Sequence, residues 1–271
     1  MFRISCFADE ISPDINVEIA VMKELGIKYV ELRSVGKTNV LDFTDEETAE
    51  IKKTFDENGI SVSSIGSPIG KVDFDCDFED YLEKFYRAVY LAKFFGTKYI
   101  RIFSFFLGER DIDACRDKVM KRLKIMAAIA EKNGVVLCHE NEAAIYGQQS
   151  DRCLDILQTI GDASLRAVFD PANFVFAGEH PMDCLKHVHQ YVEYVHLKDA
   201  TFGGVIVPAG EGDGQIAEVL DFLRYHDGMF VSLEPHLAVA GRMKGFSGEE
   251  LFKVAYNALT KQLDALGIAY I

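Results

Sequence analysis

Short apolar, β-branched runs alternate with longer stretches in which apolar residues return every three or four positions, and the alternation repeats about eight times along the chain. The runs at 2–7, 28–32, 60–65, 99–103, 135–138, 165–169, 194–197 and 229–233 predict strands. The stretches at 13–25, 45–58, 78–95, 113–133, 150–160, 181–191, 215–225 and 248–266 predict helices. Ser12 reads as the N-cap of the first helix with Pro13 at its first helical position, and Gly26, Gly59, Gly96 and Gly134 stand where helices should stop.

Strands that alternate with helices and show no polar face point to a parallel sheet covered by helices, an α/β fold. Eight units of about 34 residues match a single (β/α)8 barrel spanning residues 1–271. The competing architecture, an open doubly wound sheet, should carry a glycine-rich phosphate loop after its first strand. Ala8-Asp9-Glu10-Ile11 stands there instead, and Gly203-Gly204 and Gly210–Gly214 come only after the seventh strand.

The 271 residues carry 29 basic and 43 acidic side chains, a net charge of −14. No cluster of Lys and Arg is present to neutralise phosphates, which argues against nucleic acid and against an anionic membrane surface as partners. Acidic residues interrupt the first ten positions before any secretory apolar stretch, and no apolar run approaches the roughly 20 residues of a membrane span. A cytoplasmic location is the expectation. The six cysteines show no Cys-x-x-Cys pair and are read as buried reduced thiols.

Function in such a barrel collects where strands end at their C-terminal side. The fifth predicted strand runs into His139-Glu140-Asn141, the sixth into Asp170-Pro-Ala-Asn173, the seventh into His196-Leu-Lys198-Asp199, and the eighth into Leu233-Glu234-Pro-His236. Glu140, Asp170, His196 and Glu234 thus terminate four consecutive strands and should converge. Three bare carboxylates in one place raise one another's pKa, a conflict that a divalent cation removes. Three carboxylates and one imidazole make an oxygen-rich ligand set suited to Mn²⁺, Mg²⁺ or Co²⁺, with Zn²⁺ as a further candidate.

These motifs resemble the xylose-isomerase-like barrels, a superfamily of sugar isomerases and epimerases, inosose dehydratase and endonuclease IV, and the resemblance runs the length of the chain. It implies one catalytic divalent metal held by Glu140, Asp170, His196 and Glu234, with Glu140 and Glu234 as the proton-shuttling pair. It also implies a homo-oligomer. The extra histidines of the trinuclear endonuclease IV sites are missing: the third strand ends in Ser67-Pro68, the fourth in Ser104, and Asn173 stands where a histidine would be. The 3-epimerase pattern is also incomplete, since no arginine lies between Asp199 and Gln215 and Tyr146 replaces an acid.

The expected activity is metal-dependent isomerisation or epimerisation of a small keto sugar or polyol through an enediolate. Lyase chemistry of the inosose dehydratase kind and a non-catalytic sugar-binding module are the alternatives. Substrate contacts are expected from Lys198, Asn173, His236, Lys71, Arg101 and Tyr146. Lys198 shares strand parity with His196; its bland alternative is an ion pair with Asp199 or Glu211. Arg33 is expected either to touch substrate or to pair with Glu31, whose parity it shares. His139, of opposite parity to Glu140, is read as structural.

Overall fold

The computed structural model describes residues 1–161, 163–238 and 247–271. Eight parallel strands close into a barrel: β1 (Arg3–Cys6), β2 (Tyr29–Leu32), β3 (Ser61–Ile65), β4 (Tyr99–Ile102), β5 (Val136–Glu140), β6 (Leu165–Phe169), β7 (Val192–Leu197) and β8 (Phe230–Leu233). Each pairs with its neighbours in chain order, and β8 returns to β1 with Arg3 opposite Phe230 and Cys6 opposite Leu233. The expected (β/α)8 barrel is therefore the fold.

Nine α-helices are present among the described residues: α1 (Ile15–Leu25), α2 (Asp45–Asn58), α3 (Phe78–Phe95), α4 (Ile112–Asn133), α5 (Ser150–Ile160), α6 (Pro171–Phe176), α7 (Pro181–Val188), α8 (Ile216–Leu223) and α9 (Gly248–Leu266). Long-helix ends follow local chemistry. Thr44 and Glu47 close a reciprocal capping box on α2, and Ser247 and Glu250 do so on α9. One expected start moves: Asp14, not Ser12, caps α1 by accepting the Asn16 amide at 2.9 Å. Ser12 instead accepts the Asp14 amide, so the helix starts two residues later than Pro13 suggested. Short α6, which begins at Pro171 directly after Asp170, is not anticipated by the apolar periodicity.

The strands differ from the expectation on one point of consequence: they do have a polar face. Alternation sends Ile4, Cys6, Val30, Leu32, Leu137 and Val195 outward into the main core against the helices. The opposite parity lines the lumen. There, a lower layer of Tyr99, Cys138, Val168, Tyr194 and Phe230 is aromatic and apolar. Above it Ser63 Oγ lies 2.6 Å from Ser5 Oγ and 2.8 Å from the Tyr194 hydroxyl, and the charged groups come last, at the mouth. All six cysteines are free, and Cys138 belongs to the lower layer.

The glycine cluster after β7 serves a structural anion. Asp199, buried, accepts four backbone amides, those of Ala200 (2.8 Å), Gly210 (2.8 Å), Gly212 (3.0 Å) and Gly214 (2.9 Å). A Cβ on Gly212 or Gly214 would stand 2.4 or 2.5 Å from Asp199 Oδ1, so only glycine lets the backbone wrap the carboxylate. This wrap fixes the hairpin Asp199–Thr201/Val205–Val207 beside Lys198. Asp199→Ala would strand these donors and is expected to cost about 2–4 kcal/mol, seen as a fall of roughly 5–10 °C in Tm. An unchanged melting curve would contradict the assignment.

Candidate metal centre

Parity and strand length place the site. Glu140 is the last residue of β5, and Asp170 and Glu234 directly follow β6 and β8. His196 points into the lumen one residue before β7 ends. One ligand atom from each of Glu140, Asp170, His196 and Glu234 lies within 4.8 Å of all the others, and all four residues are buried. His196 Nδ1 stands 3.2 Å from Glu140 Oε1 and 3.6 Å from Glu234 Oε2.

The donor set fits a metal on a structural test. His196 Nδ1, Asp170 Oδ2 and Glu234 Oε2 are buried and make no aligned hydrogen bond; each has only a charged neighbour, at 3.2 Å for His196 Nδ1, 2.8 Å for Asp170 Oδ2 and 3.6 Å for Glu234 Oε2, and they belong to three different members of the cluster. Buried polar atoms are almost always bonded, so three converging exceptions mark a place built for a further group. The far nitrogen of the imidazole, Nε2, is held 3.0 Å from Glu31 Oε2. With that nitrogen donating to Glu31, loss of the Nδ1 proton would leave a lone pair facing the cluster, as in carboxylate–histidine–metal arrangements.

Cations of the chain itself face the same carboxylates. Lys198 Nζ lies 2.8 Å from Asp170 Oδ2 and 3.6 Å from Glu234 Oε2. Arg101 reaches Glu140 Oε2 at 3.3 Å and Glu234 Oε1 at 3.4 Å, and a second arm donates to the Gly66 carbonyl. Arg33 donates to Glu234 Oε1 at 2.9 Å while both of its other nitrogens grip Asp9 at 2.8 and 3.0 Å.

These charges amend the expectation that the carboxylates drive one another's pKa upward. Burial does push Glu140 up, but His196 and Arg101 outweigh it and hold the carboxyl down at about 2. Glu234 is buried too, yet Lys198, His196 and Arg101 keep it well below the usual carboxylate range. Only Asp170 rises, to about 7, because burial exceeds the pull of Lys198. Burial disfavours the imidazolium of His196, but Glu31 and Glu140 lift it to about 10. The metal-free site is thus a zwitterionic cage in which a protonated His196 holds the carboxylates together.

The remaining expected residues divide. Asn173 donates to Glu140 Oε1 at 3.3 Å and to the Asn141 carbonyl at 2.8 Å, bracing the β5 end. His236, at φ 49°, places Nε2 3.2 Å from Glu10 Oε1 and 3.6 Å from Glu234 Oε1. Burial holds its pKa at about 4, so it is neutral. Lys71 pairs with Glu142 at 2.8 Å and lies over the Phe103 ring, away from the four-residue cluster. Tyr146 is fully buried with its hydroxyl on Asp155 at 2.6 Å, which makes it a packing residue and not a substrate contact. Lys198 pairs with neither Asp199 nor Glu211. His139, facing outward, packs against Gly147, where a Cβ would lie 2.4 Å from its ring.

The roles of four further residues, Glu31, Asp9, Glu10 and Asn141, are not given by strand ends alone. Glu31 pairs with His196 and not with Arg33; the inward parity it shares with Arg33 was the available signal. Asp9 and Glu10 follow β1 in a single 3-10 turn and anchor Arg33 and His236. Asn141 clamps two strand ends, accepting the Asp170 amide and donating to the Asp170 carbonyl. Glu31→Gln is expected to lower metal affinity roughly 10–100-fold with the fold intact, measured by calorimetric titration with Mn²⁺. Unchanged affinity would remove Glu31 from the site.

The family model for xylose isomerase-like TIM barrels matches residues 19–253. The chain belongs to this family. No curated protein matches it by sequence. Among solved structures, this xylose isomerase-like barrel is similar to a probable 3-DHS dehydratase, AsbF, involved in petrobactin synthesis from Bacillus anthracis, at 19% identity over 96% of this chain and 99% of that one, TM-score 0.76. It is also similar to the IOLI protein with a binding zinc atom, at 16% identity over 97% and 99%, TM-score 0.80. A third likeness is to L-ribulose 3-epimerase, at 16% identity over 98% and 96%, TM-score 0.76. At these identities the likeness is one of fold.

Proposed function

We propose that this xylose isomerase-like barrel is a divalent-metal-dependent enzyme that shifts a proton on the carbon beside a carbonyl, interconverting isomers or epimers of a small keto sugar or polyol. The observation that carries the reading is the convergence of Glu140, Asp170, His196 and Glu234, with three buried atoms making no aligned hydrogen bond and the imidazole oriented from behind by Glu31. A bound divalent cation would supply Lewis-acid polarisation of the substrate carbonyl and would offset the charge of the carboxylates.

The chain's own groups do the rest. Glu140 and Glu234 are ionised at neutral pH and both face Nδ1 of His196, at 3.2 and 3.6 Å, from two different strand ends; in this reading one removes the carbon-bound proton and the other returns it. Their low basicity reflects the cations around them; when substrate oxygens draw Arg101 and Lys198 away, both carboxylates become stronger bases. Lys198, buried and held cationic by Asp170, Glu234 and Glu140, donates to a substrate oxygen and keeps it in register with the proton carriers. Phe7, edge-on to His196 at 5.1 Å between centroids and beneath the Arg33 and Arg101 guanidiniums, supplies the apolar floor that limits water at the mouth.

The same Lys198 favours a second reading. A buried ammonium beside the proton-abstracting carboxylate could protonate a departing β-hydroxyl, giving loss of water instead of isomerisation. The likeness to a probable dehydratase supports keeping it. Incubating Mn²⁺-loaded protein with ketose and inosose panels in D₂O separates the readings. An isomer of unchanged composition carrying one carbon-bound deuterium supports the first, and a product lighter by one water supports the second. Absence of any turnover with the metal bound would leave a sugar-binding module.

A further inference from the structure

The outer face of α3 carries a pattern that the site does not use. Tyr86, Tyr90 and Phe94 stand exposed at 48%, 43% and 37%, unusual for large rings on a helix that is otherwise well packed through Leu82, Phe85, Val89 and Leu91. At about 100° per residue, Glu83, Tyr86, Tyr90, Lys93 and Phe94 fall within roughly one quarter to one third of the helix circumference. Glu83, Tyr86, Tyr90 and Lys93 follow a three-four-three spacing, the seam of a helix that pairs with another helix. The rings border a hollow of about 510 Å³ between α3 and Asn133 at the end of α4. Scattered exposed apolar residues need no explanation, whereas an aligned aromatic row beside a hollow does.

The charges on this seam name the occupant. The acidic member, Glu83, lies toward the helix N-terminus and the basic member, Lys93, toward its C-terminus, with the two tyrosines between them. Among the described residues neither side chain forms a hydrogen bond or ion pair, whereas the neighbouring Arg87 pairs with Asp45 at 2.7 Å and lies over the Tyr90 ring. Such a row complements itself when reversed. Setting two copies antiparallel about Ala88 brings Glu83 opposite the second copy's Lys93 and Tyr86 opposite its Tyr90, and the two-fold axis repeats both pairs. A parallel arrangement would set like charges together.

We propose that the outer face of α3 is a two-fold interface at which two copies of this chain pair their α3 helices antiparallel, in the register Glu83–Lys93 and Tyr86–Tyr90. The contact is isologous, as closed dimers require. One helix face is smaller than the standard interface of roughly 1,600 Å², which places this pairing among reversible dimers and not obligate ones. It lies on the barrel's outer wall, so the metal cluster of each copy stays independent of the pairing.

Sedimentation velocity of the full chain between about 1 and 100 μM tests the proposal. The expected result is a concentration-dependent shift from the 30.4 kDa monomer to twice that mass. Tyr86→Glu combined with Tyr90→Glu should abolish the shift while the barrel still folds and melts cooperatively, since about half of each ring is exposed. Lys93→Glu alone should weaken dimerisation at least tenfold, and so should Glu83→Lys alone. The double exchange Glu83→Lys with Lys93→Glu should restore parental association, which a merely structural role for either residue would not produce. A parent that stays monomeric throughout overturns the proposal, as does a dimer indifferent to the tyrosine changes. Failure of the double exchange to rescue overturns the register and, with it, the pairing.

Discussion

Glu234→Gln should abolish metal retention and turnover together while the barrel stays folded. The substitution removes one of the three carboxylates proposed to hold the metal, and it also removes the carboxylate that Arg33, Arg101 and Lys198 all face. Loss of a proton carrier alone typically costs about 10²–10⁴ in rate. Losing a ligand adds to this, so kcat should fall at least about a thousandfold and metal content after dialysis should drop below a tenth of the parent's. Arg33 keeps its two-armed grip on Asp9, so the first strand end stays in place. Elemental analysis, turnover and a melting curve on the same preparation decide the matter. Unchanged metal content and ligand affinity would leave the cluster a structural feature of a non-catalytic module.

Metal affinity should climb steeply with pH. In the metal-free protein His196 titrates at about 10, because the burial that disfavours its charge is outweighed by Glu31 and Glu140. A ligand nitrogen must be deprotonated, so binding at neutral pH expels that proton. Asp170, raised to about 7 chiefly by burial, must lose a proton as well at lower pH. The sign is the same for both groups: protons compete with metal, and affinity falls as pH falls. Between pH 7 and 9 one proton is displaced, and affinity should rise on the order of tenfold per pH step. Below pH 7 the dependence should steepen toward two protons. Calorimetric titration with Mn²⁺ in two buffers of different ionisation heat counts the protons directly. A pH-independent affinity would mean that His196 is not a ligand.

The sequence by itself determined the barrel and the four converging residues, because both rest on local rules. Strand and helix periodicities are set by neighbouring side chains, and the glycines after α1, α2, α3 and α4 end their helices through backbone conformation alone. Once the strands are parallel, any polar residue at a strand's C-terminal end must reach the mouth, so Glu140, Asp170, His196 and Glu234 were legible from position. Who partners whom was not. Glu31 and His196 are 165 positions apart, as Arg33 and Glu234 are 201 apart, and only the closure of β8 onto β1 brings such groups within hydrogen-bond distance. The same closure reversed the expected pKa of Glu140 and Glu234 by setting Lys198 and Arg101 against them, sealed Tyr146 into the wall, and turned an apolar-looking strand set into a barrel with a polar lumen. Alternation along a strand says that a side chain faces inward; the curvature of the closed sheet decides what it meets there.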